Sequence, residues 1–348
     1  MTTLWFIFLV FMFAVYVVLD GFDFGAGILH LFVAKNDTER RTVLAAIGPV
    51  WDGNEVWLLA GGGVLVYAFP RVYAAAFSGY YLPLMMVLWL LILRGISIEF
   101  RSHQEGSLWR SFWDGAFAFS STLMAIVLGA ALGTVIRGVP LDATGYFLGP
   151  LFTDFRMGAH PGILDWFTVL VGVFALVALA AHGATYLIYK TEGPVQERAR
   201  QIALRLWIAL AILIVPVTAA TASVQPHLYA SLISRPWTWL LAVGIVASLV
   251  GVFVSLRRGA ELPAFLASAG FLVTMLGATA AGVFPTFLTS TLDPKFTLTA
   301  DNAAAGSYSL TVGLYWWPLA LLIAIGYFIY LFRSFRGKVT LSSDGHGY

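Results

Sequence analysis

Long apolar runs, each closed by a short polar or glycine-containing cluster, recur from one end of the chain to the other. The first, residues 4–19, is almost free of polar groups and runs into Asp20-Gly21-Phe22-Asp23-Phe24-Gly25. A helix that crosses the hydrocarbon core needs about 20 mainly apolar residues. That length predicts helices near 4–29, 54–76, 78–99, 113–136, 162–189, 203–224, 236–256, 264–287 and 311–333. The expectation is an all-α polytopic membrane protein with about nine transmembrane helices in a single integral membrane domain over 1–348. Phe69-Pro70-Arg71 sets a tight turn between the second and third helices. The longest loops, 137–161 and 288–310, are too short for a separate soluble domain of ordinary size. No Lys or Arg precedes the first run and no small-residue cleavage site follows it, so it reads as a retained helix rather than a signal peptide.

Composition agrees. Hydrophobic residues make up 59% of 348 positions and charged residues 11%. So little charge cannot cover a core in water, whereas lipid requires no such cover. Cysteine is absent, which removes disulfides, thiolate metal sites, iron–sulfur clusters and thiol nucleophiles. The net charge of +2 gives no indication of nucleic acid, but the placement of the basic residues is informative. Of the 20, 15 fall in one alternating set of loops or helix ends, and only Arg71, Arg137, Arg156, Arg235 and Lys295 fall in the other. Cytoplasmic loops collect Lys and Arg, so the N-terminus is expected outside and the C-terminus in the cytoplasm.

Ionisable groups inside spans are costly and are functional candidates by default. In this topology Asp20, Asp23 and His30 lie towards the cytoplasmic end of the first helix. Asp52 and Glu55 open the second, Arg94 and Glu99 end the third, Asp114 opens the fourth, and His182 lies in the inner part of the fifth. Asp20 and Asp23 are three residues apart, as are Asp52 and Glu55, so each pair can share a helix face. Helix-end chemistry accounts for Arg94, Arg101 and Glu99, since arginines at such positions snorkel to the interface. For Asp114, which complements a helix N-terminus, the helix-end and functional readings stand even. It accounts poorly for Asp20 and Asp23, where negative charge at a helix C-terminal end opposes the dipole. His30 and His182 read as hydrogen-bonded packing residues rather than haem ligands. Gly61-Gly62-Gly63 and the Gly21/Gly25 and Gly129/Gly133 spacings predict close helix contacts.

The stretch Gly48-Pro49-Val50-Trp51-Asp52-Gly53-Asn54-Glu55-Val56-Trp57-Leu58 closely resembles the signature of subunit II of the cytochrome bd quinol oxidases. The likeness extends back to Asp20–Gly25 and Asn36-Asp37-Thr38-Glu39-Arg40-Arg41, and on through Phe77-Ser78-Gly79-Tyr80-Tyr81 and Leu93-Arg94-Gly95. Trp113-Asp114, Gly183-Ala184-Thr185-Tyr186-Leu187 and Phe284-Pro285 continue it, while the tail Thr340–Tyr348 matches nothing.

The resemblance implies two four-helix bundles plus one peripheral helix in a bacterial or archaeal cell membrane. It implies a haem-bearing subunit I as partner, a possible very small accessory subunit, and contact with membrane lipids and quinone. The complex would oxidise quinol and reduce oxygen to water, with haem b and haem d in subunit I and no cofactor or metal held by this chain. Carried over by position, Asp52 matches the family's proton-path carboxylate, with Asp23, Asp114, Asp20 and Glu55 as further candidates. Trp51, Trp57 and Asn54 match positions at the subunit interface or haem environment. An independent proton-coupled transporter is the rival reading, since buried carboxylates suit that class too.

Overall fold

The structure, a computed structural model, describes residues 1–339; the unmatched tail 340–348 lies outside the described residues. The chain is almost wholly helical. Helix α1 spans Thr2–Val33, α2 Asp37–Ile47, α3 Trp51–Ala68, α4 Pro70–Gly79, α5 Tyr81–Phe100 and α6 Ser107–Arg137. There follow α7 at Trp166–Lys190, α8 at Gly193–Val224, α9 at Pro226–Ile233, α10 at Trp239–Arg258, α11 at Glu261–Val283 and α12 at Ser307–Ser334. Among the described residues eight of these are long and apolar enough to cross a membrane: α1, α5, α6, α7, α8, α10, α11 and α12. The chain is a multi-pass membrane protein. Helix α3 falls short of that measure because Asp52, Asn54 and Glu55 crowd its first turns.

Several boundaries differ from expectation, the largest at α8, which starts at Gly193 rather than near 203. The helix near 54–76 is broken at Phe69, and Pro70 opens α4 as its first residue, where a missing N–H costs nothing. The next helix therefore starts at Tyr81, not 78. Two short helices, α2 and α9, were not anticipated at all. Helix α2 is capped by Asn36, whose side chain accepts from the Glu39 amide at 2.9 Å.

Helix α1 is the axis of the fold. It packs against α3, α6, α7 and α11, while α5 lies on α6, α8 on α7, and α10 on α11. Helix α12 is peripheral and joins α1 and α3 through rings: Phe8 stacks on Trp317 at 3.9 Å and Trp57 meets Phe328 at 5.4 Å. Closest approach falls at the glycines. A Cβ on Gly25 would lie 2.2 Å from the Leu179 carbonyl oxygen, and one on Gly183 would lie 2.4 Å from the Gly25 backbone. Gly129 similarly admits Gly172. Of the triple glycine, Gly61 fits against Phe13, but Gly62 and Gly63 touch nothing within 4 Å.

The two ends of the bundle differ. At one, the loops 138–165 and 284–306 cross and bond, with Val139 donating to Thr289 O at 2.8 Å and Ser290 Oγ to Leu141 O at 2.6 Å. Strands β1 (Thr286–Leu288) and β2 (Leu298–Thr299) form a small antiparallel pair there. The other end, rich in basic residues, is held by ion pairs. Glu39 accepts from Arg198 Nη1 at 2.7 Å and from the Lys35 amide at 2.6 Å, tying α2 to α8. Those bonds, Arg198 first, hold the Glu39 carboxyl below its usual range. A carboxyl lowered in the folded state stabilises above its unfolded pKa and loses that contribution as pH falls through the folded value. Amide exchange in α2, corrected for intrinsic rates, should stay constant from about pH 7 to 5 and rise below about pH 4. A flat profile would mean that this clasp does not hold α2.

Candidate functional site

The buried polar groups gather where α1, α3 and α5 meet. Asp20 and Asp23 are fully buried. Because α1 runs on to Val33, they lie well inside the helix and not at its end. From α5, Arg94 reaches them with no exposed surface of its own. Its Nη1 donates to Asp20 Oδ1 at 2.5 Å and its Nη2 to Glu55 Oε2 at 3.0 Å. The guanidinium also sits 4.3 Å over the Phe24 ring, a cation–π contact that favours the charged form. Asn54 Nδ2 donates to Asp23 Oδ2 at 2.8 Å and to Leu19 O at 3.3 Å. The Tyr16 hydroxyl lies beside Asp20, outside hydrogen-bond geometry. Three carboxyl groups therefore surround one guanidinium.

Nearer the basic end lies a second cluster, centred on Asp114 of α6. Its Oδ1 meets His30 Nε2 at 2.6 Å and accepts from Arg101 Nε at 2.6 Å. Its Oδ2 accepts from Arg40 Nη1 at 2.8 Å and Arg101 Nη2 at 3.2 Å. Arg101 also pairs with Asp37 at 2.8 Å, and Arg110 with Asp37 at 3.0 Å. With both oxygens engaged twice, Asp114 joins α1, α2, α5 and α6.

The candidates from sequence thus separate. Asp20, Asp23, Glu55 and Asn54 form one site; Asp114 belongs to another. Asp52 is exposed, on a stripe of α3 with Val56, Leu59, Gly63 and Val66 that faces away from the bundle. Trp57 and Asn54 face α1 inside the chain. Trp51 covers Gly95 of α5, where a Cβ would sit 3.3 Å from its ring. Arg94 and Arg101, read as snorkelling helix-end residues, are instead the buried cations of the two clusters. A lone arginine among three unpaired carboxyls on neighbouring spans was the signal that could have found Arg94, since a charge in hydrocarbon needs a counter-charge.

Haem iron needs an axial His, Met, Cys or Tyr. His182 has both nitrogens engaged, Nδ1 with Ser268 Oγ at 2.7 Å and Nε2 with Val18 O at 2.9 Å. His30 commits Nε2 to Asp114. Neither imidazole adjoins the two apolar grooves beside α12, of about 320 and 470 Å³, which are lined by residues such as Phe11, Trp57, Trp317 and Phe328. Among the described residues no three His, Asp or Glu side chains group as a metal site. Neither buried histidine is placed to ligate an iron in either groove.

Comparison with known proteins bears on the whole chain. The family described as cytochrome bd terminal oxidase subunit II matches residues 1–335. The cytochrome bd ubiquinol oxidase subunit 2 of Bacillus subtilis is 33% identical over 338 residues, covering 97% of this chain and 96% of that protein. The cytochrome bd-I ubiquinol oxidase subunit 2 of Escherichia coli K12 is 30% identical over 337 residues, covering 89% and 87%. In fold, the chain superposes on one from the structure of bd oxidase from Geobacillus thermodenitrificans with a TM-score of 0.69 at 18% identity, covering 96% and 98%. A profile match over nearly the full length and relatives of this identity are sufficient: the chain belongs to the cytochrome bd terminal oxidase subunit II family.

Proposed function

We propose that this chain is the proton-handling, haem-free subunit of a complex that oxidises quinol and reduces oxygen to water. The observation that carries the reading is the pair of buried carboxyls Asp20 and Asp23, with the half-buried Glu55, around Arg94. Arg94 stays charged at any working pH, because a guanidinium is not deprotonated in proteins. One buried positive charge is balanced by one carboxylate, so the site has carboxyl groups to spare. It can take up and release protons without stranding net charge in hydrocarbon. Haem b and haem d belong to the partner subunit I in this reading, since neither buried histidine of this chain, His30 or His182, lines either apolar groove beside α12.

In this reading α3 is a ninth span, and the positive-inside rule makes the basic end cytoplasmic and the N-terminus external. Asp52 then stands at the cytoplasmic start of α3, about 5–6 Å along one helix face from Glu55. Protons pass from Asp52 to Glu55, then across Arg94 to Asp20 and Asp23. The outward stripe Asp52, Val56, Leu59, Gly63 and Val66 is the surface that meets subunit I, and lipid and quinone cover the remaining apolar faces. A very small accessory subunit would add to that assembly. Asp114 enters this reading as the ion-paired support of the site rather than a carrier. Replacing Asp52 with Asn in the assembled complex should slow oxygen reduction with haem content intact. Unchanged turnover across pH would remove Asp52 from the path, and lost haem would make it an assembly residue.

A further inference from the structure

One face of α1 carries Tyr16, Asp20, Asp23, Gly27 and His30, at spacings of four, three, four and three residues, which align on a single side of a helix. Glycine interrupts the polar series at 27, and there α6 supplies the missing group. A Cβ at Gly27 would lie 2.1 Å from Ser121 Oγ, so that hydroxyl occupies the place of a residue 27 side chain. Serine in a helix commonly bonds back to its own carbonyls. Ser120 does so, to Phe117 O at 3.2 Å, but Ser121 does not.

Every member of the series keeps an uncommitted polar atom. Tyr16 OH, Asp20 Oδ2, Asp23 Oδ1, Ser121 Oγ and His30 Nδ1 are all buried without a hydrogen-bond partner among the described residues. The Arg40 Nε, beside Asp114, is another, and the Arg40 side chain is 26% exposed. Most buried polar groups are paired, and unpaired ones commonly mark bound water. Six in sequence along one seam are not scattered exceptions. On α1 itself, positions three or four apart such as 16, 20, 23, 27 and 30 stand about 5–6 Å apart, the span of one bridging water.

We propose that Tyr16, Asp20, Asp23, Ser121 and His30 line a file of bound water along α1, from its contact with α6 to its junction with α3 and α5, a second proton route from Arg40 to the carboxylate site that does not pass through Asp52. The proposal rests on the reading that this site handles protons. Each link takes a proton on the side of His30 and gives one up on the side of Asp23, so Ser121 and the waters return to their starting state and no redox partner is needed. His30 can serve because Nε2 is directed to Asp114 while Nδ1 remains available to relay.

Two measurements on the assembled oxidase test this. Millisecond X-ray radiolytic labelling detects aromatic side chains next to bound water. Tyr16 and Phe117 are 2% and 1% exposed, yet both should oxidise several-fold faster than Phe22, which is 0% exposed on the opposite side of α1 and stacks on Tyr186. Labelling of all three at one low level would overturn the water file. Ser121→Ala should slow oxygen reduction on the order of threefold to tenfold, the cost of one hydrogen-bonded link. Its solvent isotope effect should rise while haem content is kept, and Ser120→Ala should leave both unchanged. Normal turnover in Ser121→Ala with slow turnover in Asp52→Asn would refute the second route and leave the proposed function standing. Slow turnover in Ser121→Ala beside normal turnover in Asp52→Asn would support the second route and displace Asp52.

Discussion

Arg94→Ala is expected to prevent assembly of a stable complex. The side chain is fully buried and bonded to Asp20 and Glu55, so its loss leaves carboxyl groups without their cation at membrane depth. Breaking a buried pair in this way costs about 3–5 kcal/mol. That is a large share of the roughly 5–15 kcal/mol by which a folded protein is stable. Extraction in mild detergent should recover little folded protein, and what survives should melt at a lower temperature. The loss should be non-additive. Combining Arg94→Met with Asp20→Asn and Glu55→Gln removes both signs of charge and should recover part of the yield. A single Arg94→Ala variant as stable as the parent would show that the guanidinium does not hold these helices.

Gly25→Val should be nearly as damaging, for a steric reason. The first added carbon would meet the Leu179 carbonyl oxygen at 2.2 Å and Gly183 Cα at 2.6 Å. Both neighbours are backbone, so no rotamer change relieves the contact and α1 must move from α7. Overpacking of this kind costs about 1–3 kcal/mol or more. It also pulls Val18 O away from His182 Nε2 and displaces Asp20 and Asp23 on the same helix. Gly62→Ala is the matched control, because nothing lies within 4 Å of that position. Thermal melting of the two variants should separate them clearly; equal loss in both would mean that helix propensity, not the crossing, decides.

These two residues also mark how far the chain could be read before folding. The spans were legible because lipid exposure leaves long apolar runs, and the α1 glycines announced a close crossing by their spacing. The break at Phe69 was half legible. Pro70 pointed to a turn, but the apolar run past it hid the restart at Tyr81. Helix α2 escaped notice because its 11 residues are mostly polar and no span criterion applies to it. At the site, Asp20 and Asp23 were conspicuous as acids in an apolar helix. Arg94 was not, because its partner Asp20 is 74 residues away and an arginine near a helix end has an easy alternative in snorkelling. Pairings between distant helices are set by tertiary packing, and a single sequence does not print them. His30 and His182 were read as hydrogen-bonded residues, and both are bonded, His182 through both nitrogens to Ser268 and Val18 and His30 through Nε2 alone to Asp114.

The central claim is that the carboxylates around Arg94 move protons for oxygen reduction, and Asp23 is the place to test it. Asparagine there can still accept from Asn54 Nδ2, so the packing survives while the exchangeable carboxyl proton is lost. The fully reduced complex is mixed with oxygen, and proton uptake from solution is followed with a pH dye alongside haem oxidation. With full haem content, Asp23→Asn should take up protons more slowly than the parent, and the final oxidation step should slow in the same proportion. Uptake at the parental rate, with haem content unchanged, would contradict the account.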